Sequence, residues 1–156
     1  MARWSIYCGR LLAVAGLLAQ VSTTRAAELS IAKADAYDTS DHQRVADLSV
    51  AAAPGVKVDV SELSVVTLFY ARARDGSVAE AYPASKVRWL TAPADWAGGK
   101  TEGLEIQWPA ADRSAGNAPL GVVVGLYYRK ALQVTWAFPS SLAKDFPLPA
   151  REKLAE

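Results

Sequence analysis

The 156-residue chain predicts an all-β fold, an antiparallel β-sandwich of about seven short strands. Three observations carry that expectation. Hydrophobic residues recur with a period of two, Gly and Pro punctuate the chain about every ten residues, and two segments are apolar at both parities. The period of two is clearest in three places. Val87, Trp89 and Thr91 alternate with Lys86, Arg88 and Leu90, and Leu104, Ile106 and Trp108 alternate with Glu105 and Gln107. Leu132, Val134, Trp136 and Phe138 alternate with Ala131, Gln133, Thr135 and Ala137. Successive strand side chains point to opposite faces, so each set is one face of a half-buried strand.

The other elements follow from composition. Leu29 and Ile31 begin a first strand, and residues 45–52, 56–60, 63–73 and 120–129 are rich in Val, Leu and aromatics. Between the strands stand Pro54-Gly55, Asp75-Gly76, Gly98-Gly99, Ala115-Gly116-Asn117 and Pro139. Gly supplies positive φ and Pro fixes φ, which makes these turns by mechanism. Arg129-Lys130-Ala131 is read as the tight turn of a final hairpin, and residues 40–47 and 140–146 are the two places for a helical turn.

Residues 65–73 and 120–128 break the simple alternation. Val66, Leu68 and Tyr70 oppose Val65, Phe69 and Ala71, while Val122, Val124, Leu126 and Tyr128 oppose Val123, Gly125 and Tyr127. In an immunoglobulin/fibronectin-III-like sandwich these are the third and sixth strands, paired in one sheet. Apolar residues on both faces require a second cover, since an exposed patch of that size marks an interface. The cover is either the chain's own end, such as Phe146-Pro147-Leu148-Pro149, or another subunit. The intramolecular cover is the plainer expectation.

Residues 1–26 read as an address. Arg3 and Arg10 stand without an acid, residues 11–19 carry no polar side chain, and Thr24-Arg25-Ala26 offers small residues to a signal peptidase. This is the pattern of a secretory signal peptide, with cleavage after Ala26 or Ala27. The apolar run is about half the span a bilayer-crossing helix needs, so no stable transmembrane span is expected after cleavage. Cys8 precedes the run, unlike a lipoprotein cysteine, and Gly9 lacks the following Glu of a prepilin signal. The domain then occupies 27–140, with a tail at 141–156. Three of the 17 bases and none of the 16 acids fall in the signal, which turns the formal charge from +1 to −2. With no basic excess, nucleic acid is not an expected partner.

Few groups are available for chemistry. His42 is the one histidine and lies in a polar stretch, Asp38 to His42, without a Gly-x-Ser-x-Gly elbow anywhere in the chain. Cys8 leaves with the signal, which removes thiol chemistry. Asp35, Asp38 and Asp41 are spaced by three but lack the calcium-loop pattern. Glu102, Glu105, Asp95 and Asp112 do not define a glycosidase pair. No Gly-x-Gly-x-x-Gly or phosphate-cradling loop is present. The expectation is a non-enzyme with no cofactor and no metal.

Trp89, Trp108 and Trp136 share faces with aliphatic neighbours and are expected in the core. Trp96 follows Asp95 in a loop, where it either stacks on a sugar or folds back to plug the sandwich end, and the plug is the favoured alternative.

Phe69-Tyr70, Asp75-Gly76, Trp89-Leu90-Thr91-Ala92-Pro93-Ala94-Asp95-Trp96, Leu104-Glu105-Ile106-Gln107-Trp108, Tyr127-Tyr128 and Leu132-Gln133 form one pattern over residues 60–140. It resembles small secreted immunoglobulin-like proteins encoded beside type IV pilus-type assembly genes in some bacteria. The resemblance implies an accessory periplasmic or surface role in pilus-like assembly through protein contacts, and it carries over no catalytic residue. The expectation is therefore an exported protein, periplasmic or extracellular, that binds a protein partner or forms a homo-oligomer. The candidate contacts are Val66, Leu68, Tyr70, Tyr127 and Tyr128. The alternative is a secreted carbohydrate-binding module that uses Asp95 and Trp96. N-terminal sequencing of the exported protein is expected to begin at Ala27 or Glu28; a start at Met1 or Ala2 would remove the signal-peptide reading.

Overall fold

The computed structural model describes residues 27–81, 83–91, 94–109 and 118–151. The expected signal peptide, Asp112, the turn at 115–117 and the last five residues of the tail lie outside these. Eight strands form: β1 (Leu29–Asp38), β2 (Gln43–Ala52), β3 (Leu63–Arg72), β4 (Val78–Ala81), β5 (Lys86–Trp89), β6 (Glu102–Pro109), β7 (Ala118–Tyr128) and β8 (Ala131–Phe138). They make two four-stranded antiparallel sheets, A in the order β1-β2-β6-β5 and B in the order β4-β3-β7-β8. The fold is an all-β sandwich, as the period of two requires. Among the described residues no helix is long and apolar enough to cross a membrane.

The inner faces supply the core. Ala46, Leu48, Val50, Leu104, Ile106 and Trp108 of sheet A meet Val122, Val124, Leu126 and Tyr128 of sheet B, all of them buried. Phe69 and Trp108 meet across the gap with ring centroids 5.7 Å apart. Burial of each large aliphatic side chain contributes about 1.5–3 kcal/mol, so this layer is the main stabilising term. Strands β3 and β7 pair, as expected for the two doubly apolar segments.

Several local expectations are corrected. Residues 56–60 are a connection and not a strand; Val56 and Val58 are apolar because they close the sandwich end over the core. Strand β4, with four residues and one Val, is too short to show a period. Residues 40–42 make a turn with His42 at φ 58°, and strand begins at Gln43, so there is no helical turn over 40–47. A helical turn does form at α1 (Leu142–Asp145). Val87 on β5 and Leu90 just after it are exposed because the strand is a short edge, and Trp89 packs inward.

Two register shifts explain the remaining departures. One between Ile31 and Lys33 lets Ile31, Ala34 and Ala36 all reach the core although their spacing is odd and then even. The other falls between Leu126 and Tyr127, whose partners on β8 are Val134 and Leu132. An extra residue on one strand flips the side chains beyond it. Leu132 therefore leaves the face of Val134, Trp136 and Phe138 and lies beside Gly125 on the outer side of sheet B. The extra residue, Gln133, accepts a hydrogen bond from the Glu28 amide (2.7 Å) and ties the start of β1 to β8.

The β7–β8 hairpin turns on Arg129 (φ 52°) and Lys130 (φ 62°), both left-handed as a two-residue turn of this kind demands. Glycine normally takes such positions. Here Glu62 holds Arg129 twice, its carbonyl accepting from the Arg129 amide (2.9 Å) and its carboxylate from Nε (2.7 Å). Gly121 is required for a different reason. A Cβ there would overlap the Phe138 carbonyl oxygen and crowd Leu142 and Pro139. The backbone oxygen cannot swing aside as a side chain could. Gly121→Ala is expected to lower stability by about 3 kcal/mol, read as a fall in urea midpoint at unchanged slope.

Candidate protein-contact face

The outer face of sheet B presents Val66, Leu68 and Tyr70 from β3 and Val123, Gly125 and Tyr127 from β7, as strand alternation dictates. After β8 the chain turns back across this face. Leu142, Ala143, Phe146 and Leu148 pack against Leu68, Tyr70, Val78, Leu120, Val123 and Ala137. Phe146 stacks on Tyr70 with centroids 4.2 Å apart and planes 20° from parallel. Gly125 leaves the space that the Leu148 side chain fills. Beyond it, the Tyr127 hydroxyl donates to the Pro149 carbonyl (2.9 Å), and the Leu132 amide donates to the Ala150 carbonyl (2.9 Å). The cover required by the apolar outer face is thus the chain's own C-terminal segment. Burial, and secondarily the Glu80 carboxylate, push the Tyr70 phenol above its ordinary pKa.

This placement corrects part of the expected contact set. Tyr127 and Tyr128 are each 1% exposed and Tyr70 is 7% exposed. Tyr70 and Tyr127 lie under the C-terminal segment. Tyr128 points into the core, where its hydroxyl accepts from the Asp59 amide (3.1 Å) and the Arg129 guanidinium lies over its ring (4.8 Å). All three are packing residues, Tyr70 and Tyr127 under the C-terminal cover and Tyr128 in the core, and so are not available as contacts. Val66 and Leu68 are half-buried and keep an accessible side.

What makes them accessible is an edge that sequence alone does not reveal. Strand β4 pairs with β3 at Phe69, Tyr70, Ala71 and Arg72 and no further. Before Phe69, residues 65–68 have β7 on one side and, among the described residues, no strand on the other. Burial follows the pairing. Residues 121–128 of β7 are buried throughout, and Phe69 and Tyr70 are buried, but Val65, Val66, Thr67 and Leu68 are each half-buried. The Thr67 hydroxyl oxygen is buried without a hydrogen-bond partner. Thr67 and Leu68 line a cleft of ≈ 140 Å³ with Phe69, Glu80, Ala81, Pro83 and Ser85, where β4 ends and the chain leaves for sheet A.

Strands β1, β4 and β5 are protected by the usual means of charge, shortness or a bulge. Strand β1 carries the register shift at Ile31/Lys33 together with Lys33, Asp35 and Asp38. Strand β5 is four residues long with Lys86 and Arg88, and β4 is four residues long with Glu80. Strand β8 carries the register shift beside Gln133 and is bridged at Ala131 by Arg151, but its residues 134–138 are uncharged and, among the described residues, paired with β7 alone. Residues 65–68 have no charge and no Pro, and their register with β7 is unbroken.

The two expected glycan residues are placed differently. Trp96 is 6% exposed; its Nε1–H donates to the Val50 carbonyl (3.0 Å), and its ring meets Trp89 edge-on at 5.5 Å. Its backbone is left-handed (φ 50°), and the Glu102 carboxylate accepts from its amide (3.2 Å) and, at longer range, from that of Asp95 (3.4 Å). Trp96 plugs the sandwich end and offers no free ring face to a sugar. Asp95 is exposed and accepts from the Ala97 amide (2.8 Å).

The carboxylates do not converge on a catalytic geometry. Glu102 faces the core, whereas Glu105, three residues on, lies on the opposite face, where it accepts from Arg88 Nε (2.7 Å) and the Gln107 side-chain Nε2 (2.8 Å). Asp38 pairs with Arg44, Asp35 with Lys33, and Asp41 accepts from Thr39. Among the described residues no three His, Cys, Asp or Glu side chains gather to hold a metal ion. Comparison with protein-family models, with curated proteins and with solved structures returns no match.

Phe146→Ala, by removing the ring on Tyr70, is expected to lower stability by about 2–3 kcal/mol. It should also speed amide exchange at Leu132, the donor to Ala150, more than at Leu48 in the opposite sheet. Equal acceleration at both would mean that the segment is not a separate layer.

Proposed function

We propose that the protein is an exported, non-enzymatic, immunoglobulin-like domain that acts by binding another protein, as an accessory of pilus-like or cell-envelope assembly. The single observation that carries the binding role is the uncharged stretch at residues 65–68, paired on one side among the described residues, where Val66 and Leu68 keep an accessible side. A row of backbone donors and acceptors without a neighbour is a template for strand addition. Val66 and Leu68, the two expected contacts that keep an accessible side, lie within it.

Three further features support the reading. The sheet orders β1-β2-β6-β5 and β4-β3-β7-β8 agree with the constant-type immunoglobulin order, with one strand added beside the third. Residues 1–26 have the composition of an export signal. Asp35, Asp38, Asp41, Asp95, Glu102 and Glu105 each hold a backbone amide, a hydroxyl or a cation, which suits structural roles.

A photo-crosslinking amino acid at Val66 tests the site in the producing cell. The expected result is a discrete covalent adduct with another polypeptide from Val66, and none from the same probe at Tyr37 on the outer side of sheet A. Adducts from Tyr37 alone would move the binding face to sheet A and overturn this assignment.

A further inference from the structure

We propose that the outer face of sheet B is a socket for residues 142–151, and that two copies of this chain bind one another by exchanging these segments. This goes beyond the strand-edge reading and does not rest on residues 65–68.

The face determines what fits it. Tyr70 presents a ring on which Phe146 stacks, Gly125 leaves a notch that the Leu148 side chain enters, and Gly121 leaves room for Leu142. The Tyr127 hydroxyl donates to the Pro149 carbonyl (2.9 Å). Aromatic rings with a donor aimed at a backbone carbonyl suit Pro-containing segments, since Pro brings an acceptor and no amide that docking could strand. An occupant of this face therefore carries an aromatic residue, a leucine two positions on, and Pro on both sides of that leucine. Phe146-Pro147-Leu148-Pro149 has that order, so a second copy of the chain is the partner with the required chemistry.

Nothing in this seating requires the segment and the face to belong to one copy. The helical turn carries its own bonds, from the Leu142 amide to the Pro139 carbonyl (3.1 Å) and from the Phe146 amide to the Leu142 carbonyl (2.8 Å), and so moves as a unit. Its link to β8 is Pro139-Ser140-Ser141, exposed throughout. A segment from another copy makes the same contacts with the face, which leaves the link and the protein concentration to decide the balance. The link is short. It turns the chain onto the face within three residues, with the Phe138 carbonyl, Pro139 and Leu142 all packed against Gly121. A short reversal of this kind favours exchange, because the same residues, extended over about 10 Å, deliver the segment to a neighbour instead. The chain's own segment competes at an effective concentration of about millimolar, so exchange belongs to copies crowded to that level.

The test has two arms. In the first, the photo-crosslinker benzoylphenylalanine replaces Phe146, where its ring keeps the place on Tyr70. Equal amounts of isotope-labelled and unlabelled exported protein are mixed, unfolded in urea and refolded together at about 1 mM, the level at which a second copy matches the chain's own segment. The expected result is a dimer by light scattering in which about half of the crosslinks between the segment and β3 join labelled to unlabelled chain. The same mixture refolded at about 1 µM is expected to stay monomeric, with every crosslink inside one copy. The second arm uses the parent chain with Gly-Ser-Gly-Ser inserted between Ser140 and Ser141. The longer link closes on its own face with less constraint, so the dimer fraction at about 1 mM should fall about fivefold or more. A dimer whose crosslinks all stay within single copies associates through another surface and overturns the proposal. A monomer at both concentrations overturns it as well, and so does a dimer that the longer link leaves undiminished.

Discussion

The pairing of β3 with β7 is the constraint on which the rest of the structure depends. Both strands are apolar on both faces, so their joint sheet cannot lie on the core on one side and face water on the other, as antiparallel sheets commonly do. Sheet A covers the inner face with Leu48, Leu104, Ile106 and Trp108. The outer face forces the chain to return after β8 and lay Leu142, Phe146 and Leu148 across it. That return sets the need for Gly121, where the Phe138 carbonyl comes too close for any Cβ, and for Gly125, which makes room for Leu148. It also encloses Tyr70 and Tyr127, which lines of apolar residues alone make look like a binding surface.

Sheet A is under no such demand, and its strands show it. Strand β6 alternates buried and half-buried residues without interruption. Its outer neighbours Arg88, Glu105 and Gln107 are joined by hydrogen bonds in the water-facing layer. The end of the sandwich is closed by another economy of polar groups: Glu102 turns inward and uses one carboxylate oxygen to hold the Asp95 and Trp96 amides, fixing the left-handed Trp96 so that its ring enters the core. Backbone donors compensate its burial at that oxygen only, and Oε2 is buried without a hydrogen-bond partner.

The same covering logic makes residues 65–68 distinctive. Among the described residues the apolar outer face of sheet B is covered by the C-terminal segment, and two uncharged stretches at its edges, 65–68 and 134–138, are paired on one side. The first lies where β4 stops after four residues and the chain crosses to sheet A. The side chains there have the composition of an interior strand, and they are half-buried where β7 alone pairs with them among the described residues. An interior-type sequence at a position with one neighbour is the physical content of the binding proposal.

Fold class, the facing of most strands, the pairing of the two doubly apolar segments and the need for a cover over them were legible in the sequence. Each follows from side-chain alternation and from the cost of leaving apolar area in water, which are local properties of the chain. The tight turn at Arg129-Lys130 and the plugging role of Trp96 were legible for the same reason. The tertiary structure alone decided the rest. It placed Leu132 on the outer face through a one-residue register shift, buried Tyr70, Tyr127 and Tyr128, set Glu102 and Glu105 on opposite faces, and left the Thr67 hydroxyl buried without a hydrogen bond. These depend on which strand lies beside which and for how many residues, and no periodicity within one segment carries that information, because pairing length is settled by contacts between segments far apart in the chain.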